Sequence, residues 1–146
     1  MVELAIALPV LLIVLLGIVE FGRALVYWND TTQIASVGAR WATVNEWPGK
    51  DTQSLQDAIR YEVPAQQGWQ GLSDDLDQPC VEVIEANGDA TDKGVGDAVK
   101  VTVAFTFRWT FMPSWIGISD RKIVSTATMR LENLPDGWTP DGTCDA

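Results

Sequence analysis

An α+β fold is predicted, in which a long N-terminal hydrophobic helix packs its C-terminal half against a small antiparallel sheet. Three features of the sequence predict it. Residues 4 to 19 contain no charged or hydrogen-bonding side chain, amphipathic helical spacing follows them directly, and the later part of the chain alternates apolar and polar residues. The 146 residues suit one modest globular domain with an appended apolar segment.

The sixteen residues of the uninterrupted run make a helix of about 24 Å, short of the ~30 Å hydrocarbon core of a bilayer. Extending it through residues 20 to 28 gives about 37 Å, enough to cross, but brings in Glu20 and Arg23. Those two are spaced i, i+3 and can pair on one helix face. Phe21, Tyr27 and Trp28 fall where an interfacial aromatic belt is expected. Residues 1–28 are therefore expected to form a transmembrane or filament-stem helix. A secretory signal peptide fits poorly, since no basic stretch precedes the run and no small-residue cleavage pattern follows it before Arg23. Glu3, at the start of the run, suits a helix N-terminus, and in lipid it calls for a cationic partner such as a neighbouring chain's α-amino group. Pro9 is expected to bend or locally open the helix, and Gly17 and Gly22 to weaken it further.

Residues 29–146 are read as one α+β globule that includes the helix continuation to about residue 46. Ile34, Val37, Trp41 and Val44 mark its apolar stripe, and Ala35, Gly38, Ala39 and Ala42 add a small-residue face that admits another element closely. Trp47-Pro48-Gly49 is the expected stop. Asp51 and Thr52 can cap a second helix with apolar positions Leu55, Ala58, Ile59 and Val63, ending before Pro64, and residues 66 to 78 read as a loop.

Three strands are expected next. Cys80 to Ala86 is short and β-rich. Val99 to Phe111 alternates strictly, placing Val99, Val101, Val103, Phe105, Phe107, Trp109 and Phe111 on one face. Ile123 to Glu132 supplies a third, with Ser125, Ala127, Met129 and Leu131 together on one side. A meander of these strands, with its aromatic face laid on the long helix, completes the fold.

Composition narrows the function. The chain has no His, which removes Ser-His-Asp and Cys-His nucleophilic sites and most zinc sites, and no carboxylate pair has a positioned partner for acid–base work. An enzyme is not expected, nor a cofactor. The net charge of −10 argues against nucleic acid, which needs a basic footprint. Asn87 to Asp92 spaces oxygen ligands as a calcium loop begins, but Asp92 stands where an EF-hand needs Gly and Ala98 where it needs Glu. That segment, and the acidic run Asp74, Asp75 and Asp77, are read as solvated loops, with no metal site expected. Among the seven Trp, Trp41 and Trp109 are expected in the core, whereas Trp47, Trp69, Trp115 and Trp138 fall in expected loops, where exposure would mark contact surfaces.

The stretch Met1-Val2-Glu3-Leu4-Ala5 through Leu8-Pro9-Val10-Leu11-Leu12, followed by Gly17-Ile18-Val19-Glu20-Phe21-Gly22-Arg23-Ala24-Leu25, resembles the signature of TadE-like pilins and pseudopilins of the tight-adherence (Tad, type IVc) pilus. Ile123 to Glu132 fits the same resemblance more loosely. It implies a structural pilus subunit that supports adhesion, processed near its N-terminus by a prepilin peptidase. It also implies assembly by an inner-membrane platform, with membrane lipid as the earlier partner and other pilin subunits as later ones. Glu3, Pro9, Gly17, Glu20, Gly22 and Arg23 are the expected assembly residues. The globule would then lie outside the cytoplasmic membrane, where Cys80 and Cys144, the two cysteines, are expected to form a disulfide that ties back a Pro-, Gly- and Asp-rich tail. The alternative reading is a monomeric, single-pass, membrane-anchored extracytoplasmic binding domain, independent of Glu3 and Pro9.

Overall fold

The computed structural model describes residues 2–68, 75–84, 95–110, 120–132, 140 and 144. Helix α1 (Val2–Val44) runs unbroken through Pro9, Gly17 and Gly22, so Pro9 does not open it as the sequence leads one to expect. It stops at Asn45, whose φ of 59° is left-handed, while the Glu46 amide donates to the Trp41 carbonyl at 3.2 Å. This is a Schellman ending built on Asn45, two residues ahead of the expected Trp47-Pro48-Gly49 stop. Lys50 Nζ donates to the Asn45 carbonyl at 2.7 Å and lies 5.2 Å from the Trp47 ring centre.

Ser54, rather than Asp51 or Thr52, caps the next helical region, accepting from the Asp57 amide at 3.2 Å. That region is α2 (Leu55–Asp57), a π-helical stretch (Ala58–Glu62) and α3 (Val63–Gln67) in unbroken succession, ended by left-handed Gly68. Pro64 does not lie beyond the helix, where the sequence pattern puts it. It sits in the first turn of α3, directly after the π-helical stretch, inside the continuous helical region. The π-helical stretch packs on the small-residue face of α1. Ala35, Ala39 and Ala42 are fully buried, and a Cβ at Gly38 would come within 2.8 Å of Ile59 Cδ1.

Strands β1 (Cys80–Ile84), β2 (Ala98–Phe107) and β3 (Arg121–Arg130) form an antiparallel meander with β2 in the centre. The apolar face expected of β2 is found, with Val99, Val101, Val103, Phe105 and Phe107 all buried, but the strand ends at Phe107, before Trp109. Ser125, Ala127 and Met129 stand opposite Val103, Val101 and Val99 on the same face, and helix α1 lies across β2 and β3. Thr102 and Ala104, on the other face of β2, are buried as well. The core joins Ile34, Leu55, Ile59, Leu131 and these strand residues, with Trp41 and Trp109 packed against it. Trp47, expected as a loop residue open to contacts, is buried, and its Nε1 donates to the Gln53 carbonyl at 3.1 Å. The expectations for Trp69, Trp115, Trp138, Asp74, Phe111 and the Asn87 to Asp92 loop lie outside the described residues.

Candidate assembly site on the long helix

Helix α1 changes character at residue 20. Before it, every described side chain from Leu4 to Val19 is exposed apart from half-buried Gly17, and Leu4, Ile6 and Ile13 exceed 60% exposure. Glu3 is exposed on the first turn, and Pro9 lies within the exposed run. Nothing lies within 4 Å of a Cβ built on Gly17 or Gly22. An 18-residue window of this helix has a mean hydropathy of 2.2 with 6% of it buried, which makes it long and apolar enough to cross a membrane.

Among the described residues, Glu20 is the first that is fully buried. Its Oε2 accepts from Arg23 Nη1 at 2.9 Å, and its Oε1 accepts from the Thr110 backbone N–H at 2.9 Å. Arg23 Nη1 also donates to Thr110 Oγ1 at 2.7 Å, and its guanidinium lies 5.7 Å from the Phe107 ring centre and 6.0 Å from that of Tyr27. An isolated carboxylate in such a place would be costly; this one has a cation and a backbone donor, so its charge is met from both sides. The Glu20–Arg23 pairing is legible from the i, i+3 spacing. Thr110 is not, because its partner is 90 residues away in sequence.

One turn further, the Tyr27 ring stacks on Phe105 at 4.9 Å between centres and meets Phe107 at 5.8 Å. Tyr27 therefore belongs to the core contact and not to the expected aromatic belt, whereas Phe21 and Trp28 are 63% and 56% exposed. Thr31 Oγ1 lies 3.0 Å from Ser125 Oγ, and Thr32 Oγ1 lies 3.2 Å from it, joining helix to β3 through hydroxyls. Asp30, beside them, is 9% exposed, and burial raises its carboxyl pKa above the usual range.

Cys80 and Cys144 form a disulfide, which fixes Cys144 at the first residue of β1. Asp75 pairs with Arg108 at 3.1 Å and Asp77 with Lys122 at 3.2 Å, so these two acidic residues face protein cations. Among the described residues, no group of three or more Cys, Asp or Glu is placed to hold a metal ion. The arrangement thus offers an exposed apolar rod, charged at its tip by Glu3, locked by Glu20 and Arg23 to a disulfide-closed globule.

Comparison with known proteins bears on the rod itself. Residues 1–40 match the family described as TadE-like protein, the segment that contains the exposed run, Glu20 and Arg23. No curated protein and no solved structure matches the chain.

Proposed function

From a chain whose first 40 residues carry the TadE-like pattern, we propose a structural subunit, a pilin or minor pseudopilin, of a Tad-type pilus that supports surface adhesion. The observation that carries the reading is the exposed apolar rod, which the globule leaves uncovered from Leu4 to Val19. Twelve Leu, Ile and Val side chains lie in that run. Each represents about 1.5 to 3 kcal/mol against water when buried, so the rod needs lipid or neighbouring helices. The subunit rests in the cytoplasmic membrane with its globule on the extracytoplasmic side, and then enters the pilus.

In lipid the hydrophobic gain is already present, so extraction requires work from the inner-membrane assembly platform. Processing near the N-terminus by a prepilin peptidase frees an α-amino group, and Glu3 pairs with that of a neighbouring subunit to set axial register. The role is structural, with no catalytic residue and no cofactor.

Electron microscopy of sheared surface filaments, with mass spectrometry of the N-terminal peptide, tests this reading. The chain is expected as a filament constituent cut within a few residues of Met1. Recovery solely from membranes, unprocessed, would replace the pilin reading with an anchored binding domain. Glu3→Ala is expected to insert normally and fail to enter filaments; normal filaments from that variant would remove the register role.

A further inference from the structure

Strand β1 begins at Cys80, opposite Thr102 of β2. Ahead of it, residues 75–78 follow the same edge of β2: Leu76 bridges to Phe105, and the Asp77 amide donates to the Ala104 carbonyl at 2.9 Å. A cavity of about 290 Å³ opens beside this segment. Thr106 of β2, Arg108 just past its end and Arg60 of the π-helical stretch line it together with Asp75, Asp77 and Gln78. Among the described lining residues Leu76 alone is apolar, and at 2% exposure its side chain belongs to the core. Every other one ends in a hydrogen-bonding group.

The charges around the cavity are matched within the protein. Arg108 Nη2 lies 3.1 Å from Asp75 Oδ1, and Lys122 Nζ lies 3.2 Å from Asp77 Oδ2. The Arg60 guanidinium lies 5.3 Å from the ring centre of Tyr61. Pairing orients these side chains and cancels the net charge that an ionic ligand would need. What pairing leaves over is hydrogen-bonding capacity. A carboxylate accepts at both oxygens, and a guanidinium donates in several directions at once. Among the described residues, Asp75 Oδ2 and Asp77 Oδ1 have no partner. The Thr106 hydroxyl and the Gln78 amide can each donate and accept.

The ligand class follows from that pattern. An apolar molecule finds no apolar wall here. An anion meets the carboxylates of Asp75 and Asp77, and a cation meets the guanidiniums of Arg60 and Arg108. A neutral molecule with neighbouring hydroxyls suits carboxylates and guanidiniums placed side by side, because each O–H donates to the one while its oxygen accepts from the other. The volume stands at the small end of ligand sites, which run from about 300 to about 1,000 Å³, so it takes one ring and not a chain. We propose that this cavity binds a single neutral sugar unit of a glycan, with vicinal hydroxyls held by Asp75, Asp77, Thr106 and Arg108. The proposal names a ligand class for surface adhesion, and to that extent rests on the reading of the chain as a subunit that supports it.

Ligand-observed NMR titration of the full chain in lipid nanodiscs tests it, with galactose, glucose, mannose and N-acetylglucosamine as free sugars. At least one is expected to bind, and Asp75→Asn and Thr106→Val are each expected to weaken it about tenfold. Thr128→Val, at an exposed threonine of β3 outside the cavity, should leave binding unchanged. Non-reducing mass analysis of the Cys80–Cys144 linkage, with the urea midpoint, shows that each variant folded. No binding of any of the sugars, binding untouched by both cavity variants, or glycine or sulfate taking the cavity in their place would each overturn the proposal. Sugar binding by a chain that never enters filaments would uphold the cavity and remove the pilin reading; filaments from a chain that binds no sugar would do the reverse.

Discussion

The backbone N–H of Thr110 donates to the buried carboxylate of Glu20 at 2.9 Å, joining the segment just past β2 to the helix turn where the exposed rod ends. Because Arg23 binds both Glu20 and Thr110, the three groups hold the rod at a fixed angle to the sheet. Replacing Glu20 by Ala leaves the Thr110 amide without this acceptor and a two-thirds buried guanidinium without its carboxylate, with Thr110 Oγ1 still accepting from it. A loss of about 2 to 4 kcal/mol is expected, toward the lower end because Arg23 keeps some solvent. Urea unfolding of the full chain in detergent micelles measures it. Thr110→Ala keeps the backbone donor, so its loss should stay within about 1 kcal/mol. Equal effects from the two variants would show that the carboxylate is not the centre of the clasp.

Two glycines on the same helix should respond in opposite directions to the same substitution. Gly22 has open space where a Cβ would stand, so Gly22→Ala is expected to stabilise by about 0.5 to 1 kcal/mol through helix propensity. At Gly38 the added Cβ would meet fully buried Ile59 at 2.8 Å. Overpacking of about 1 to 3 kcal/mol there should exceed the propensity gain. Thermal unfolding of both variants gives the sign. The double variant Gly38→Ala, Ile59→Val should recover part of the loss, since the clash lies with that side chain.

Much of this architecture is legible from the sequence because its signals are local. The alternation expected from Val99 to Phe111 shows in β2 as far as Phe107, where the strand ends, and the small-residue face of α1 does admit a second helical segment. The cysteine pairing is likewise found. What escapes sequence reading depends on partners distant along the chain. Tyr27 looks like an interfacial aromatic until Phe105 and Phe107 are seen beneath it. Trp47 escapes although its partner is local: it looks like an exposed loop residue until the turn from Gly49 to Gln53 folds over to accept its indole N–H. Helix ends escape for a different reason. Pro48 and Pro64 dominate the local pattern, but Asn45 in the left-handed region ends α1 first, and Pro64 falls inside the continuous helical region.

The disulfide should account for a large share of the globule's stability. It closes a loop with a sequence separation of 64 residues, for which the chain-entropy account gives about 4 kcal/mol. Replacing both Cys80 and Cys144 by Ser should lower the urea midpoint accordingly, with the slope reporting any expansion of the unfolded chain. Reductant should shift the parent chain to the same midpoint and leave the double variant unmoved. A midpoint in the double variant equal to that of the oxidised parent would show that the tail's attachment contributes nothing to folding.

Asp30 makes stability depend on pH in the direction opposite to most carboxylates. Burial raises its pKa in the folded chain, so the folded state holds the proton more tightly than the unfolded state, where the pKa is about 3.9. Below that unfolded value both states are protonated and the contribution is fully present. As pH rises through the unfolded and then the folded value, the unfolded state ionises first and the contribution is lost. A carboxamide at this position cannot ionise, so Asp30→Asn should gain stability relative to the parent over that same interval and then hold a constant advantage at higher pH. Measuring the difference between the two chains, and not either alone, cancels the other carboxylates and any fixed cost of the amide. A difference that stays flat from pH 3 to pH 8 would show that Asp30 titrates alike in the folded and unfolded chain, and that its position on α1 leaves its charge hydrated.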